Sequence, residues 1–486
     1  MKKLILFLLL SLSALWLLGC NENKQTTSAF SSAGEAWHIG FAAEEIPLPE
    51  DPETPLYIAG YMNGEPIADV LDLQRANAVW LGTNDNEGML LIGVDCVALA
   101  SDTVDEIRAR LADFCHEVGC ASVAVYATHT HAGIDTLGLW GPLAQDGKNA
   151  EFLENVISSA VTAAKNAYAN RKQGALYFGQ NDAEGMQYDS RDPAVYDENL
   201  YQLRFAPTDG GNGVRLVWFG AHAESLRGAN LYLSRDFPGV MSDRIKAETG
   251  DDMLFIPGAI GGLIMTPVIL DRGAYSDLDE ARFHVENLRT TGEYLARMVL
   301  AITPYIEREV APQLAYAETT FDVPLDNTAF LLYKFLGILR NESGRGSDSA
   351  TGYYLSSRCA AIRFGEDITA ALIPGEIFPE LVYYDADFPI ANADGTLAEE
   401  TFPSLSRLAA QYDCGTLLIA GLCNDELGYI VPTDSFLVHP DLPYFAKIVD
   451  DTGENHYEET NSAGIRTGQI LISAMEVVFA ALGAAE

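Results

Sequence analysis

The chain reads as an α/β protein, with layered β-sheets covered by helices in one large catalytic-type body. Two observations carry this reading. Short apolar runs of strand length alternate with amphipathic stretches of helical length along the whole chain. Composition is globular, with 48% hydrophobic and 20% charged residues over 486 positions. No repeat and no shift in composition marks a place to divide it. The length exceeds that of most single domains, so a two-lobed body stands as the alternative.

Each element follows from its local pattern. The segment 102–119 carries a helical apolar stripe, opens with Asp102 and closes on Gly119, a residue suited to a left-handed helix end. It leads into the apolar run 121–126, a buried strand. Residues 151–170 form a second helix, followed by strands near 176–180 and 200–205. The run 214–221 is a strand, 238–249 a helix and 253–257 a short strand. The longest helix spans 278–302. Strand signals follow at 313–323, then a helix around 329–339 and a hairpin over 360–373 that turns at Gly365-Glu366-Asp367. A last buried strand at 417–422 precedes a closing helix over 463–482.

The N-terminus carries its own signal. Met1-Lys2-Lys3 precedes an apolar run over 4–18 and the sequence Leu17-Leu18-Gly19-Cys20. A positive start, a short apolar core and a small-residue end make a secretory signal rather than a membrane span. The ending resembles the lipobox of bacterial lipoproteins, which implies cleavage before Cys20 and lipidation of that thiol. The expected division is a signal peptide over 1–19, a lipidated cysteine and flexible tether over 20–35, and the body over 36–486. The expected location is the bacterial cell envelope, with the membrane reached through the lipid anchor. Asn21, rather than Asp, points to the outer membrane in a Gram-negative cell.

The formal net charge is −39, more negative still once Lys2 and Lys3 leave with the signal. That excludes nucleic acid as a partner and argues against broad docking on anionic lipid. Besides Cys20 there are Cys96, Cys115, Cys120, Cys359, Cys414 and Cys423, several of them in apolar runs, so buried free thiols are expected. No Cys-x-x-Cys pair occurs, which leaves no basis for a thiolate zinc site.

The chemistry gathers where strands run out. Ala127-Thr128-His129-Thr130-His131 closes the strand 121–126. On an extended chain two imidazoles two residues apart project from one face, and together they can reach one metal ion or one substrate. His222 ends the strand 215–221, Glu376 follows Pro374-Gly375, and Tyr429 lies beyond the strand 417–422. Loops at strand ends are where α/β proteins place functional groups. Each group also has a structural explanation: a satisfied core histidine, a carboxylate at a helix start, and aromatic packing.

Taken together and in order, these motifs resemble the catalytic domain of the neutral/alkaline, non-lysosomal ceramidase family. The matching stretches are Ala-Thr-His-Thr-His at 127–131, Trp-Phe-Gly-Ala-His at 218–222 and Ile-Pro-Gly-Glu at 373–376. Further matches are Ala-Gly-Leu-Cys-Asn at 420–424, Gly-Tyr-Ile at 428–430 and Tyr-Glu-Glu-Thr-Asn-Ser at 457–462. The resemblance implies one zinc ion per chain, held by His129, His222, Glu376 and Tyr429. It implies substrate-binding roles for Arg191 and Tyr457. His131 is implied as a catalytic group that shuttles a proton or binds the developing oxyanion. The implied reaction is zinc-dependent hydrolysis of the N-acyl amide of a ceramide-like lipid by a metal-activated water, giving a fatty acid and an amine.

The chain also departs from the family pattern. Where the family has Asn-Ala-Gly-Asp-x-Ser-Pro, this sequence runs from Gly258 to Thr266-Pro267. Thr266 stands for the family's serine as a second catalytic candidate, and the Asp is missing. The family's His-Gly-Thr-Ser is here His222-Ala223-Glu224-Ser225, and its Ser-Gly-Pro-Gly-Gly is Ala132-Gly-Ile-Asp-Thr136. The C-terminal immunoglobulin-like domain of full ceramidases is not expected. These changes leave two alternatives open: a zinc hydrolase of another acyl amide or ester, and a non-catalytic ligand-binding lipoprotein.

Overall fold

Alternation of inward and outward side chains along the strands builds two sheets that share one core. The computed structural model describes residues 26–50, 55–61, 64–228 and 231–484. The signal peptide, Cys20 and the start of the tether lie outside these residues. The larger sheet runs in the order Asp252–Pro257, Val214–Phe219, Asn199–Pro207, Lys172–Asp182, Trp37–Glu45, Arg75–Gly82, Gly88–Val94 and Cys120–Ala127. The smaller sheet runs Thr27–Ala33, Gln313–Pro324, Tyr353–Phe364, Ile368–Leu372 and Thr416–Ala420.

The sheets stack face to face. Val79 and Leu81 from the larger sheet share one cluster with Tyr316, Ile362 and Leu372 from the smaller. Trp80, between Val79 and Leu81, points the opposite way, as the strand period of two requires, and packs under Ala150–Ala169 with Phe152 and Ala164. Asp236–Thr249 and Glu280–Ala301 cover the other end of the larger sheet through Phe237, Met241 and Leu295. Thr467–Ala484 covers the outer face of the smaller sheet through Leu471, Met475 and Phe479. The result is four layers: helix, sheet, sheet, helix. The helix Thr467–Ala484 is long and apolar enough to cross a bilayer, yet half of it is buried against the body.

The expected α/β layering is what the chain forms, with three differences in detail. Thr27–Ala33, expected as flexible tether, is an edge strand paired antiparallel with Gln313–Pro324 from Thr27↔Thr319 to Ala33↔Gln313. The chain therefore joins the body before residue 36. The helix expected over 329–339 is Thr328–Phe335, because Gly337 takes a left-handed φ of 74° that ends it. Three strands at Trp37–Glu45, Arg75–Gly82 and Gly88–Val94 carried no expectation. The last is buried at every position, so it has no polar alternation to read. The six cysteines among the described residues are free, and Cys96, Cys359, Cys414 and Cys423 are buried, as expected.

Three carboxyls enclosed in the fold make stability depend on pH. Burial pushes Asp95, Asp236 and Asp425 each up to about 6. A folded-state pKa above the unfolded value means the folded chain holds the proton more tightly. That contribution is complete below the unfolded pKa of about 4 and is lost as pH rises through about 6. Self-repulsion of the acidic surface acts in the same direction. The urea midpoint is therefore expected to be higher at pH 5 than at pH 8, and a higher midpoint at pH 8 would contradict this account.

Candidate metal centre and cavity

His129 follows the edge strand Cys120–Ala127, and His222 follows Val214–Phe219. Backbone links join these two strand ends. Thr130 and Ala223 form a parallel bridge, and the His131 amide donates to the Ala223 carbonyl at 2.9 Å. His129 has a left-handed φ of 63°, a costly conformation for a residue with a Cβ. The extended chain expected through the His pair is therefore absent. The turn at His129 brings the two rings together instead, with their Nε2 atoms 3.1 Å apart.

Backbone carbonyls fix the proton on two of the rings. His129 Nδ1 donates to the Val97 carbonyl at 2.7 Å, and His222 Nδ1 donates to that of Ile264 at 2.9 Å. A carbonyl oxygen only accepts, so each neutral ring carries its proton on Nδ1 and presents a lone pair at Nε2. Both lone pairs face Glu376 Oε2, which lies 3.0 Å from His222 Nε2 and 3.5 Å from His129 Nε2. With His131, three imidazole ligand atoms lie within 4.8 Å of one another.

The electrostatics of this group call for a cation. With both rings neutral, two lone pairs and a carboxylate, all buried, repel; a proton on a ring or a bound cation supplies the positive charge that holds them together. Burial works against an ionised Glu376, but the charge and hydrogen bonds of His129 and His222 outweigh it and hold the carboxyl well below its usual range. Burial also lowers the His222 pKa, and Glu376 more than reverses the effect. His131 is pushed well below its usual value by burial and then by its two histidine neighbours.

Glu376–Ile377 pairs in parallel with Tyr429–Ile430, with Glu376 opposite Tyr429. Register partners in a parallel pair point to the same face, so the carboxylate and the phenol stand side by side. The Tyr429 hydroxyl lies 2.7 Å from that of Tyr457. All these groups except His222 open into a cavity of 910 Å³. Its far wall is apolar, formed by Leu137, Leu139, Trp140, Phe330, Leu332 and Leu355. Leu332 and Phe445 at its edge are 47% and 58% exposed, so apolar surface continues from the cavity to the outside.

Two expected site residues lie elsewhere. Thr266 is buried with its hydroxyl 3.1 Å from that of Ser225, while its neighbour Met265 lines the cavity. Arg191 is also buried and is engaged inside the protein. Its Nε donates to Glu454 at 2.7 Å, and its Nη1 lies 3.6 Å from Glu458 and 3.5 Å from Glu459. These carboxylates flank Tyr457, so Arg191 holds the segment that carries this tyrosine.

Three cavity residues escaped the sequence. Glu224 is buried, with Oε2 accepting a short hydrogen bond from the Tyr61 hydroxyl and lying 3.7 Å from His131 Nδ1. Glu224 was visible as a departure at His222-Ala223-Glu224-Ser225, whereas nothing local marks Tyr61. Glu426 lines the same space with Oε2 unpartnered. Burial, with Glu376 adding, holds its carboxyl well above the usual range.

The layered fold is one shared with solved neutral ceramidases. The structure is similar to neutral ceramidase from Pseudomonas aeruginosa, with a TM-score of 0.68 at 14% identity, covering 92% of this chain and 74% of that one. A ceramidase complexed with C2 gives a TM-score of 0.64 at 14% identity over 93% of this chain and 75% of the other. No protein-family model matches the chain, and no curated protein matches it.

The Arg191 network has a measurable consequence. Removing one partner of a buried ion cluster leaves the remaining charges uncompensated and costs about 3–5 kcal/mol. Arg191→Met is expected to lower unfolding free energy by that order in urea titrations, beyond any loss of turnover. An unchanged midpoint would show that Arg191 does not anchor the Tyr457 segment.

Proposed function

We propose that the chain is a zinc-dependent amidohydrolase that cleaves the N-acyl amide bond of a ceramide-like lipid to a fatty acid and an amine. One observation carries this reading: the Nε2 lone pairs of His129 and His222 meet Glu376 at the polar end of a cavity with an apolar wall. The donor set fits the ion. Nitrogen and carboxylate ligands suit zinc, and the crowded lone pairs need a cation. His129, His222, Glu376 and Tyr429 would hold it. A zinc ion bound there lowers the pKa of water towards neutrality and polarises a carbonyl oxygen.

The chain's own residues do the rest. His131 faces the same centre as a neutral imidazole, placed to accept a proton and return it to the leaving amine. Glu224 lies beside its other nitrogen and, held by Tyr61, restrains the ring. The Tyr429 and Tyr457 hydroxyls supply donors at the cavity wall. Leu137, Leu139 and Phe330 receive an acyl chain and exclude water from the bond being cut. Arg191 acts through the Tyr457 segment, and Thr266 supports the loop through Ser225.

A second reading keeps the zinc hydrolase and changes the substrate head group. Glu224 favours it, because a carboxylate now stands where the family pattern has a threonine. Turnover of ceramide compared with acyl amides of amine-bearing head groups separates the two readings.

Hydrolysis of a fluorescent ceramide is the direct test. Chelation is expected to abolish turnover and zinc to restore it, and His222→Ala or Glu376→Ala should lower kcat by about a thousandfold or more. Full activity in either variant would remove zinc hydrolysis as the function. The lipobox reading adds attachment at the cell envelope through Cys20. Cys20→Ser is expected to move the protein from the membrane fraction to the soluble one, and an unchanged distribution would contradict anchoring.

A further inference from the structure

A second group of ligating side chains lies behind Tyr457, outside the cavity. The strands Ile448–Val449 and Asn455–His456 form a short antiparallel hairpin. Its turn is closed by Asp450, whose Oδ1 accepts from the Thr452 amide at 2.8 Å, the Thr452 hydroxyl at 2.7 Å and the Glu454 amide at 2.9 Å. Asp450 Oδ2 takes no part in these bonds and points back along the hairpin to His456 Nε2, 3.7 Å away. Asp450, Glu454 and His456 each offer one ligand atom, all within 4.8 Å of one another.

His456 supplies the second, independent observation. The ring is 5% exposed, and its Nε2 has no hydrogen-bond partner. Its Nδ1 lies 2.8 Å from Glu459 Oε1. Arg191 Nη2, which can only donate, lies 3.1 Å from the same nitrogen, so Nδ1 is engaged inside the protein whichever ring nitrogen carries the proton. With the proton on Nδ1, donated to Glu459, the ring presents the lone pair of Nε2 towards Asp450 Oδ2. A histidine that donates one nitrogen to a carboxylate and turns the other outward has the arrangement of a metal-ligating imidazole. An unsatisfied buried nitrogen is costly without such a partner.

We propose that Asp450, Glu454 and His456 form a second site for a divalent transition ion, zinc foremost, distinct from the centre at His129 and His222. The imidazole ligand disfavours calcium and magnesium, which take oxygen donors. Asp450 and Glu454 are only half-buried, so water can complete the shell. The ion's role follows from its place. It closes the hairpin whose last residue, His456, immediately precedes Tyr457, and so fixes the segment that lines the substrate cavity from behind. Arg191 offsets the negative charge of Glu454, Glu458 and Glu459, which otherwise makes the hairpin repel itself.

Zinc titration of the metal-free full chain, read with a chromophoric competitor, tests this without reference to turnover. The unmodified chain is expected to take up two equivalents. Asp450→Asn retains the Oδ1 hydrogen bonds of the turn and is expected to take up one. His456→Gln is expected to do the same. The His129→Ala/His222→Ala double variant is expected to take up one, and its melting temperature should rise with zinc. Adding Asp450→Asn to the double variant should abolish both the uptake and the shift. Unchanged uptake in Asp450→Asn, or no uptake in the double variant, would overturn the second site. Loss of ceramide hydrolysis with two-site uptake intact would count against the proposed activity alone.

Discussion

Everything at the candidate site of this protein depends on two hydrogen bonds from histidine to the backbone. By donating Nδ1 to Val97 and Ile264, His129 and His222 give up the freedom to choose a tautomer. Their remaining nitrogens converge on one carboxylate oxygen. In a buried setting that convergence requires positive charge, carried by a proton on a ring or by a bound cation. The strain at His129 fits the same account, since the left-handed turn aims its ring, and the surrounding ladder of Thr130 with Ala223 holds it.

The fold explains how such distant residues meet. His129 and His222 leave strands near opposite ends of the larger sheet, while Glu376 and Tyr429 follow strands of the smaller one. Stacking the sheets through a shared core brings the strand ends of both to one rim. The link is tied at several points. Tyr126 donates to the Phe255 carbonyl at 2.6 Å across the larger sheet, and the Asn424 carboxamide accepts from the Val125 amide at 3.1 Å between the sheets. A site built from both sheets requires the sandwich to be packed before the ligands are in place.

Much of this was legible in the sequence because the signals were local. The helix ending at Gly119, the strand into His129 and the hairpin at Gly365 each carry their own punctuation. The motifs singled out His129, His222 and Glu376, and the fold places both rings within 3.5 Å of Glu376 Oε2. What was not legible depends on contacts far apart in the chain. Gly88–Val94 is buried on both faces and shows no alternation. Thr27–Ala33 is polar and becomes a strand only by pairing with residues nearly three hundred positions away. Arg191 sits in a motif matched to the substrate, but its partners at Glu454, Glu458 and Glu459 lie far along the chain, and they turn it inward. Tyr61 has no local signal, since its role arises from the fold placing it beside Glu224.

One departure from the ceramidase pattern changes the charge of the cavity. Glu224 adds a carboxyl group to a cavity already lined by Glu376 and Glu426. Burial, with Glu376 adding, holds the Glu426 carboxyl well above its usual range, and its Oε2 has no hydrogen-bond partner. Glu224 instead has Tyr61, with Arg227 3.6 Å from its other oxygen. The polar end thus gathers Glu376 between two histidines, Glu224 beside a tyrosine and Glu426 with an unpartnered oxygen, against a wall of apolar side chains.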